Sequence, residues 1–145
     1  KDMNYVLQKP WCSVGSDGSA YAIQGPLRVG NPHPRNFGTF PRVLGKYVRQ
    51  DKLLSLEDAV RKMTSLNANK IGLRDRGLIK IGFAADIVIF DAATIIDQST
   101  YTVPFAYPTG IPYVIVNGQL TVKDGEHTGA RAGRSLRKVL PPKTP

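Results

Sequence analysis

Few residues in this chain are equipped for hydrolytic or metal chemistry, and their spacing limits what they can do. There is one cysteine, Cys12, and there are two histidines, His33 and His127, 94 positions apart and without any HxH or HExxH pair. A structural zinc site ordinarily needs four ligands, so these residues cannot build one unaided. The single thiol also excludes an internal disulfide. Among the acids, Asp17 stands in Ser16-Asp17-Gly18, directly after the apolar run Trp11 to Gly15. A turn that follows a buried strand is a place where chemistry can sit, yet Ser-Asp-Gly is ordinary turn composition, and residue type by itself favours the turn. Asp86 and Asp91 bracket a later apolar segment, where strand-end roles are the simpler reading. Cys12 reads as a small buried hydrophobe and His127 as a surface residue.

Charge adds a second kind of candidate. Twenty Lys and Arg against eleven Asp and Glu give a net charge of +9 over 145 residues. No acid follows Glu126, while Arg131, Arg134, Arg137, Lys138 and Lys143 do, so the excess is concentrated in a basic tail. Nucleic-acid grooves interleave basic residues with aromatic stacking platforms, and residues 128 to 145 hold no aromatic, which argues against a specific nucleic-acid partner. The longest apolar stretch, Phe83 to Phe90, is interrupted by Asp86 and far too short to span a bilayer, so no membrane partner is expected. The opening Lys1-Asp2-Met3-Asn4-Tyr5-Val6 has neither an initiator Met nor a signal-peptide core and reads as an internal cut.

The elements that must position these residues divide into two kinds. Lys1 to Gln8 reads as the end of a helix closed before Pro10, and Trp11 to Gly15 as a buried strand feeding the Asp17 turn. Ser19 to Pro41 carries four prolines and little periodicity, so a long loop is expected, with Pro41 opening a helix whose stripe is Val43, Leu44, Tyr47 and Val48. A second helix is marked by Ser55 with Asp58 three residues on and by Leu56, Ala59, Val60, Met63 and Leu66, closing at Gly72. From there the period becomes that of strands: Leu78 to Ile81, Asp86 to Phe90, Tyr113 to Val116 and Gln119 to Lys123, the last two joined by Asn117-Gly118, a strong hairpin signal. A boundary near residue 72 follows.

Two stretches together resemble the amidohydrolase superfamily and, within it, the N-acyl-D-amino-acid deacylases, also called D-aminoacylases. The first is Val14-Gly15-Ser16-Asp17-Gly18 followed by His33-Pro34-Arg35-Asn36-Phe37-Gly38-Thr39-Phe40-Pro41-Arg42-Val43-Leu44-Gly45. The second runs from Thr64 to Leu73, through Arg76-Gly77-Leu78-Ile79, to Gly82-Phe83-Ala84-Ala85-Asp86-Ile87-Val88-Ile89-Phe90-Asp91, and supports the superfamily only. The resemblance implies an α/β plus β architecture. Residues 1–71 would be the last strand and helices of a (β/α)8 barrel, and residues 72–145 the C-terminal part of a small β-sandwich with a basic tail. It also implies a cytoplasmic, zinc-dependent hydrolase of N-acyl-D-amino acids, its main zinc ligands lying upstream in the missing N-terminal part of the same polypeptide.

Under that resemblance Asp17 is the catalytic carboxylate, at most touching the metal, taking a proton from zinc-bound water and passing it to the departing amine; zinc lowers the water pKa to about 7. Arg35 is the first candidate for the substrate carboxylate, because a planar guanidinium grips it at two points. Arg28 competes for that role, and His33 is a hydrogen-bonding candidate between Pro32 and Pro34. Another superfamily member, such as a hydantoinase or dihydroorotase relative, and a non-catalytic basic β-rich binding module are the alternatives. Produced by itself, the 145-residue chain is expected to hold no stoichiometric zinc after dialysis and to deacylate nothing. A retained equivalent of zinc together with turnover would overturn its reading as one part of a larger site.

Overall fold

The computed structural model describes residues 2–136; Arg137, Lys138 and Lys143 of the basic tail and the proline-rich end lie outside the described residues. Helices come first and strands last. α1 (Asp2–Leu7) precedes an extended segment and a short 3-10 turn (Gly25–Leu27), and α2 (Arg35–Arg42) runs on into a π-helical stretch (Val43–Gln50). α3 (Leu56–Met63) and α4 (Ser65–Ile71) follow, then β1 (Ile87–Ile89), β2 (Tyr113–Val116), β3 (Gln119–Lys123) and β4 (Glu126–His127). No helix of the described residues is long and apolar enough to cross a membrane.

Helix starts differ from the expectation where proline is concerned. Pro41 does not open a helix but lies inside α2, which begins at Arg35, so the expected loop ends six residues early. Pro34 already has helical angles, φ −51° and ψ −25°, and its carbonyl accepts from the Phe37 and Gly38 N–H groups at 3.1 and 3.0 Å. Pro41 has no N–H to continue the ladder, and directly after it the helix widens to the π form. The wide stretch brings Gly45 against the later segment around Ile95. A Cβ there would stand 2.6 Å from the Ile95 carbonyl oxygen, so only glycine fits.

The second expected helix is two. Ser55 caps α3 as read, its Oγ accepting the Asp58 N–H at 3.1 Å, and Gly72 closes α4 in the left-handed region at φ 79°. Between them Thr64 breaks the helix at φ −126° and ψ −93°, its hydroxyl donating to the Val60 carbonyl at 2.7 Å. A threonine that bonds back to the preceding turn competes with the helical ladder.

β1 to β4 form one antiparallel sheet in sequence order. The hairpin at Asn117-Gly118 is as read, with φ 48° and 79°. Asp124-Gly125 makes a second such turn, φ 54° and 83°, and pairs β4 back on β3; the sequence reading passed over it. Leu78 to Ile81 is not a strand, and Ile79 and Ile81 are 88% and 101% exposed, because among the described residues no strand lies beside them. The sheet is pinned near its start by Asp86, which pairs with Arg76 and accepts the Asn117 N–H at 2.8 Å. Burial alone would raise this carboxyl, but the Asn117 N–H and Arg76 outweigh it and hold it below the ordinary aspartate value. Asp91 likewise caps its own turn through the Ala93 N–H. Both acids are therefore structural, in line with the strand-end reading.

One core joins the two kinds of structure. Leu7, Val14, Val43, Leu44, Ala59 and Ile95 cluster together, so a residue from beyond the helices completes it. Trp11 to Gly15, expected as a strand, is extended but unpaired with any strand, since none adjoins it in the described residues. Carbonyls of this segment, and of Lys9 and Pro10 just before it, are taken by side chains instead. Lys62, fully buried, donates to the carbonyls of Lys9 and Cys12; Arg61 reaches Pro10 at 2.9 Å, Lys70 reaches Trp11 at 2.7 Å, and Asn67 reaches Val14 at 2.7 Å. Cys12 is half-buried in this segment. Replacing Lys62→Met keeps the stem and removes both bonds, leaving the partly buried Cys12 carbonyl without its donor and the Lys9 carbonyl with the Cys12 N–H alone. Unfolding free energy of the polypeptide that carries this chain is expected to fall by about 1–3 kcal/mol in chemical denaturation. An unchanged value would mean that these carbonyls find other partners.

Candidate functional site

The Asp17 turn and the N-terminus of α2 meet in space. Asp17 has φ 50°, a left-handed conformation that aspartate and asparagine tolerate better than most residues. The turn is not closed by its carboxylate: Ser16 Oγ accepts the Gly18 N–H at 3.2 Å. Asp17 Oδ2 instead faces Arg35 Nη2 at 3.0 Å, and both side chains are exposed. Asn36, one residue further, accepts the Ser19 N–H on Oδ1 at 2.6 Å and donates from Nδ2 to the His33 carbonyl at 2.8 Å. The turn is thus tied to the helix at two successive residues. Asn36 was missed in the sequence, where nothing but its type marked it.

His33 serves the same junction. Its Nδ1 accepts the backbone N–H of Arg35 at 3.0 Å, satisfying a first-turn donor that has no partner within the helix. Its Nε2 lies 2.9 Å from the hydroxyl of Tyr101, and the two rings meet edge-on at 5.0 Å. Arg28 stands apart from this cluster. It donates to the Ile23 carbonyl at 3.0 Å and stacks its guanidinium 4.2 Å over the Phe105 ring. Of the four residues singled out by sequence, Asp17, Arg35 and His33 are therefore gathered together and Arg28 is not.

Beside the cluster opens a cavity of about 500 Å³, with Leu7, Val14 and Val43 on its apolar wall and His33, Arg35 and Tyr101 on its polar side. Asp17 is not part of its lining. At its far side Arg42 binds Asp97 at 2.9 Å, and that hydrogen bond lifts the guanidinium above its ordinary value. Among the described residues no three His, Cys, Asp or Glu side chains come together as a metal site. The described residues thus gather no metal-ligand set; what the Asp17 turn presents is one exposed carboxylate. His127 is exposed and accepts the Gly129 N–H on Nδ1, a local turn role.

Comparison with known proteins gives this arrangement its context. A family model described as "Amidohydrolase family" matches residues 12–122. N-acyl-D-aspartate deacylase of Alcaligenes xylosoxydans xylosoxydans is 45% identical over 136 residues, which are 93% of this chain and 26% of that protein. A solved structure of D-aminoacylase, described by the functional role of its binuclear metal center, superposes with a TM-score of 0.85 at 43% identity, covering 94% of this chain and 27% of that one. N-acyl-D-glutamate deacylase of Bordetella bronchiseptica, complexed with zinc and a phosphonate mimic of the tetrahedral intermediate, superposes with a TM-score of 0.74 at 41% identity, covering 83% and 24%. The chain spans about a quarter of the length of the relatives it matches. With its larger part matched by the family model and its helices and antiparallel sheet superposing on D-aminoacylase, the chain belongs to the amidohydrolase family.

Proposed function

We propose that this chain supplies the proton-transfer carboxylate and the carboxylate-binding guanidinium of a cytoplasmic hydrolase that cleaves N-acyl-D-amino acids to a carboxylate and a D-amino acid. Residues 1–71 would be the closing segment of its (β/α)8 barrel and residues 72–145 its share of a β-sandwich, the remainder of the polypeptide furnishing the other strands and the zinc ligands. The observation that carries the reading is the 3.0 Å pairing of Asp17 with Arg35 across a turn that does not need the Asp17 carboxylate to close it. The likeness to N-acyl-D-aspartate and N-acyl-D-glutamate deacylases supports this reaction class.

In this reading Asp17 Oδ2 takes a proton from the water whose oxygen attacks the amide carbonyl carbon. The C–N bond of the tetrahedral species then breaks, and Asp17 returns the proton to the departing amine nitrogen. Arg35 places Nη2 3.0 Å from Asp17 Oδ2, and its other guanidinium N–H groups have no partner among the described residues. A substrate carboxylate held there in two-point geometry fixes which face of the Cα is presented.

Asp17→Asn, in the polypeptide that carries this chain, keeps the shape and the left-handed backbone but cannot carry the proton. It is expected to lower kcat by about 10² to 10⁴-fold with Tm and zinc content retained. Near-normal turnover by the folded, zinc-loaded variant would return Asp17 to a turn role. Arg35→Lys keeps the charge and loses the planar fork, so KM for N-acetyl-D-amino acids should rise with a smaller effect on kcat, and discrimination between D and L substrates should narrow. Unaltered kinetics, with the loss appearing in Arg28→Lys instead, would transfer the role to Arg28.

A further inference from the structure

On the reading that Arg35 holds the substrate carboxylate, we infer that Tyr101 is a positioning residue for Arg35, acting through His33. The Arg35 N–H occupies His33 Nδ1 at 3.0 Å, so the ring proton resides on Nε2, and Nε2–H donates to the Tyr101 hydroxyl oxygen 2.9 Å away. The opposite tautomer would set an Nδ1–H against the Arg35 N–H, donor facing donor. Tyr101 accepts the proton that defines the productive tautomer, and its ring meets the imidazole edge-on at 81°, limiting rotation. The His33 ring is otherwise exposed, so these contacts are what hold it.

The turn that carries Tyr101 is hydrogen-bonded on both sides of it. It is braced by the Thr100 N–H to the Val103 carbonyl at 3.0 Å and by the Val103 N–H to Thr100 Oγ1 at 2.9 Å. Ser99 Oγ, buried, closes the same turn on the Pro104 carbonyl at 2.5 Å. The segment that leads into it is fastened to α2 by Arg42 on Asp97 at 2.9 Å and to the π-helical stretch by Arg49 on the Ile95 carbonyl at 2.6 Å. A bond between residues 68 apart therefore closes a ring of contacts that leaves from α2 and the π-helical stretch after it and returns at His33, two residues before α2 begins. Arg35 is the first residue of that helix, and its backbone direction sets where a long side chain can place its guanidinium.

The test is a double-mutant cycle in the polypeptide that carries this chain, zinc-loaded and assayed on N-acetyl-D-amino acids. Tyr101→Phe removes only the hydroxyl and is expected to raise KM about three- to tenfold with kcat within about twofold, the size of one lost hydrogen bond. His33→Asn can still accept the Arg35 N–H through Oδ1 but cannot reach Tyr101, and should match that effect. The double variant should be no worse than either single one, because both remove the same link. Histidine ¹⁵N spectra of the unliganded protein should show an unprotonated Nδ1 for His33 in the parent and a tautomer mixture in Tyr101→Phe. Additive losses, or an unchanged KM and spectrum in Tyr101→Phe while Arg35→Lys raises KM, overturn this inference alone. An unchanged KM in Arg35→Lys overturns the carboxylate role of Arg35 and with it what Tyr101 is said to position.

Discussion

The segment from Lys9 to Val14 has no strand beside it among the described residues, and its carbonyls must nevertheless be paired where it is buried. Four polar side chains on one edge of α3 and α4, those of Arg61, Lys62, Asn67 and Lys70, provide that pairing. Lys62 is the central one. A fully buried ammonium is costly unless its hydrogen bonds are satisfied, and here two carbonyls and the Asp58 carboxylate at 3.6 Å surround it. The same contacts seat Val14 in the core and so determine where the chain emerges as the Asp17 turn. The position of the carboxylate is decided a helix away from it.

A second constraint comes from the chain's return. After β1 the backbone runs back over α2 and the π-helical stretch, where Ile95 enters the core and Asp97 engages Arg42. This approach requires Gly45 on the π-helical stretch, since any side chain there would meet the Ile95 carbonyl. It also carries the turn at Tyr101 to the open side of His33. The helical and sheet parts are thus linked at the candidate site rather than only at a connecting loop. The pin of Arg76, Asp86 and Asn117 holds the sheet end in the same manner, through side chains that satisfy a turn.

Local signals in the sequence were read well where their physics is local. Ser55 before Asp58, Gly72 after Ile71 and Asn117-Gly118 each act within four residues, through a cap or a positive φ, and the structure shows each of them. Asp124-Gly125 carries the same kind of signal and makes the same kind of turn. The errors arose where a local rule was overridden. Proline suits a helix start, which points to Pro41, but Pro34 already sets the helical angles upstream. Leu78 to Ile81 has strand composition, yet a strand exists only where a neighbour accepts its hydrogen bonds.

By itself the sequence determined the family, through the run His33-Pro34-Arg35 with Gly38-Thr39-Phe40-Pro41-Arg42, and the presence of a turn at Asp17, because both reside in contiguous residues. Only the tertiary structure decided which of two arginines meets Asp17. Arg28 and Arg35 are both arginines of the same intervening stretch, and type cannot separate them. The start of α2 and the tie between Asn36 and Ser19 carry Arg35 to the turn, whereas Phe105 draws Arg28 away from it. Tyr101 had no signal at all in the sequence. Its partner His33 lies 68 residues away, and a contact at that separation depends on the whole path between them, including the close approach that Gly45 permits.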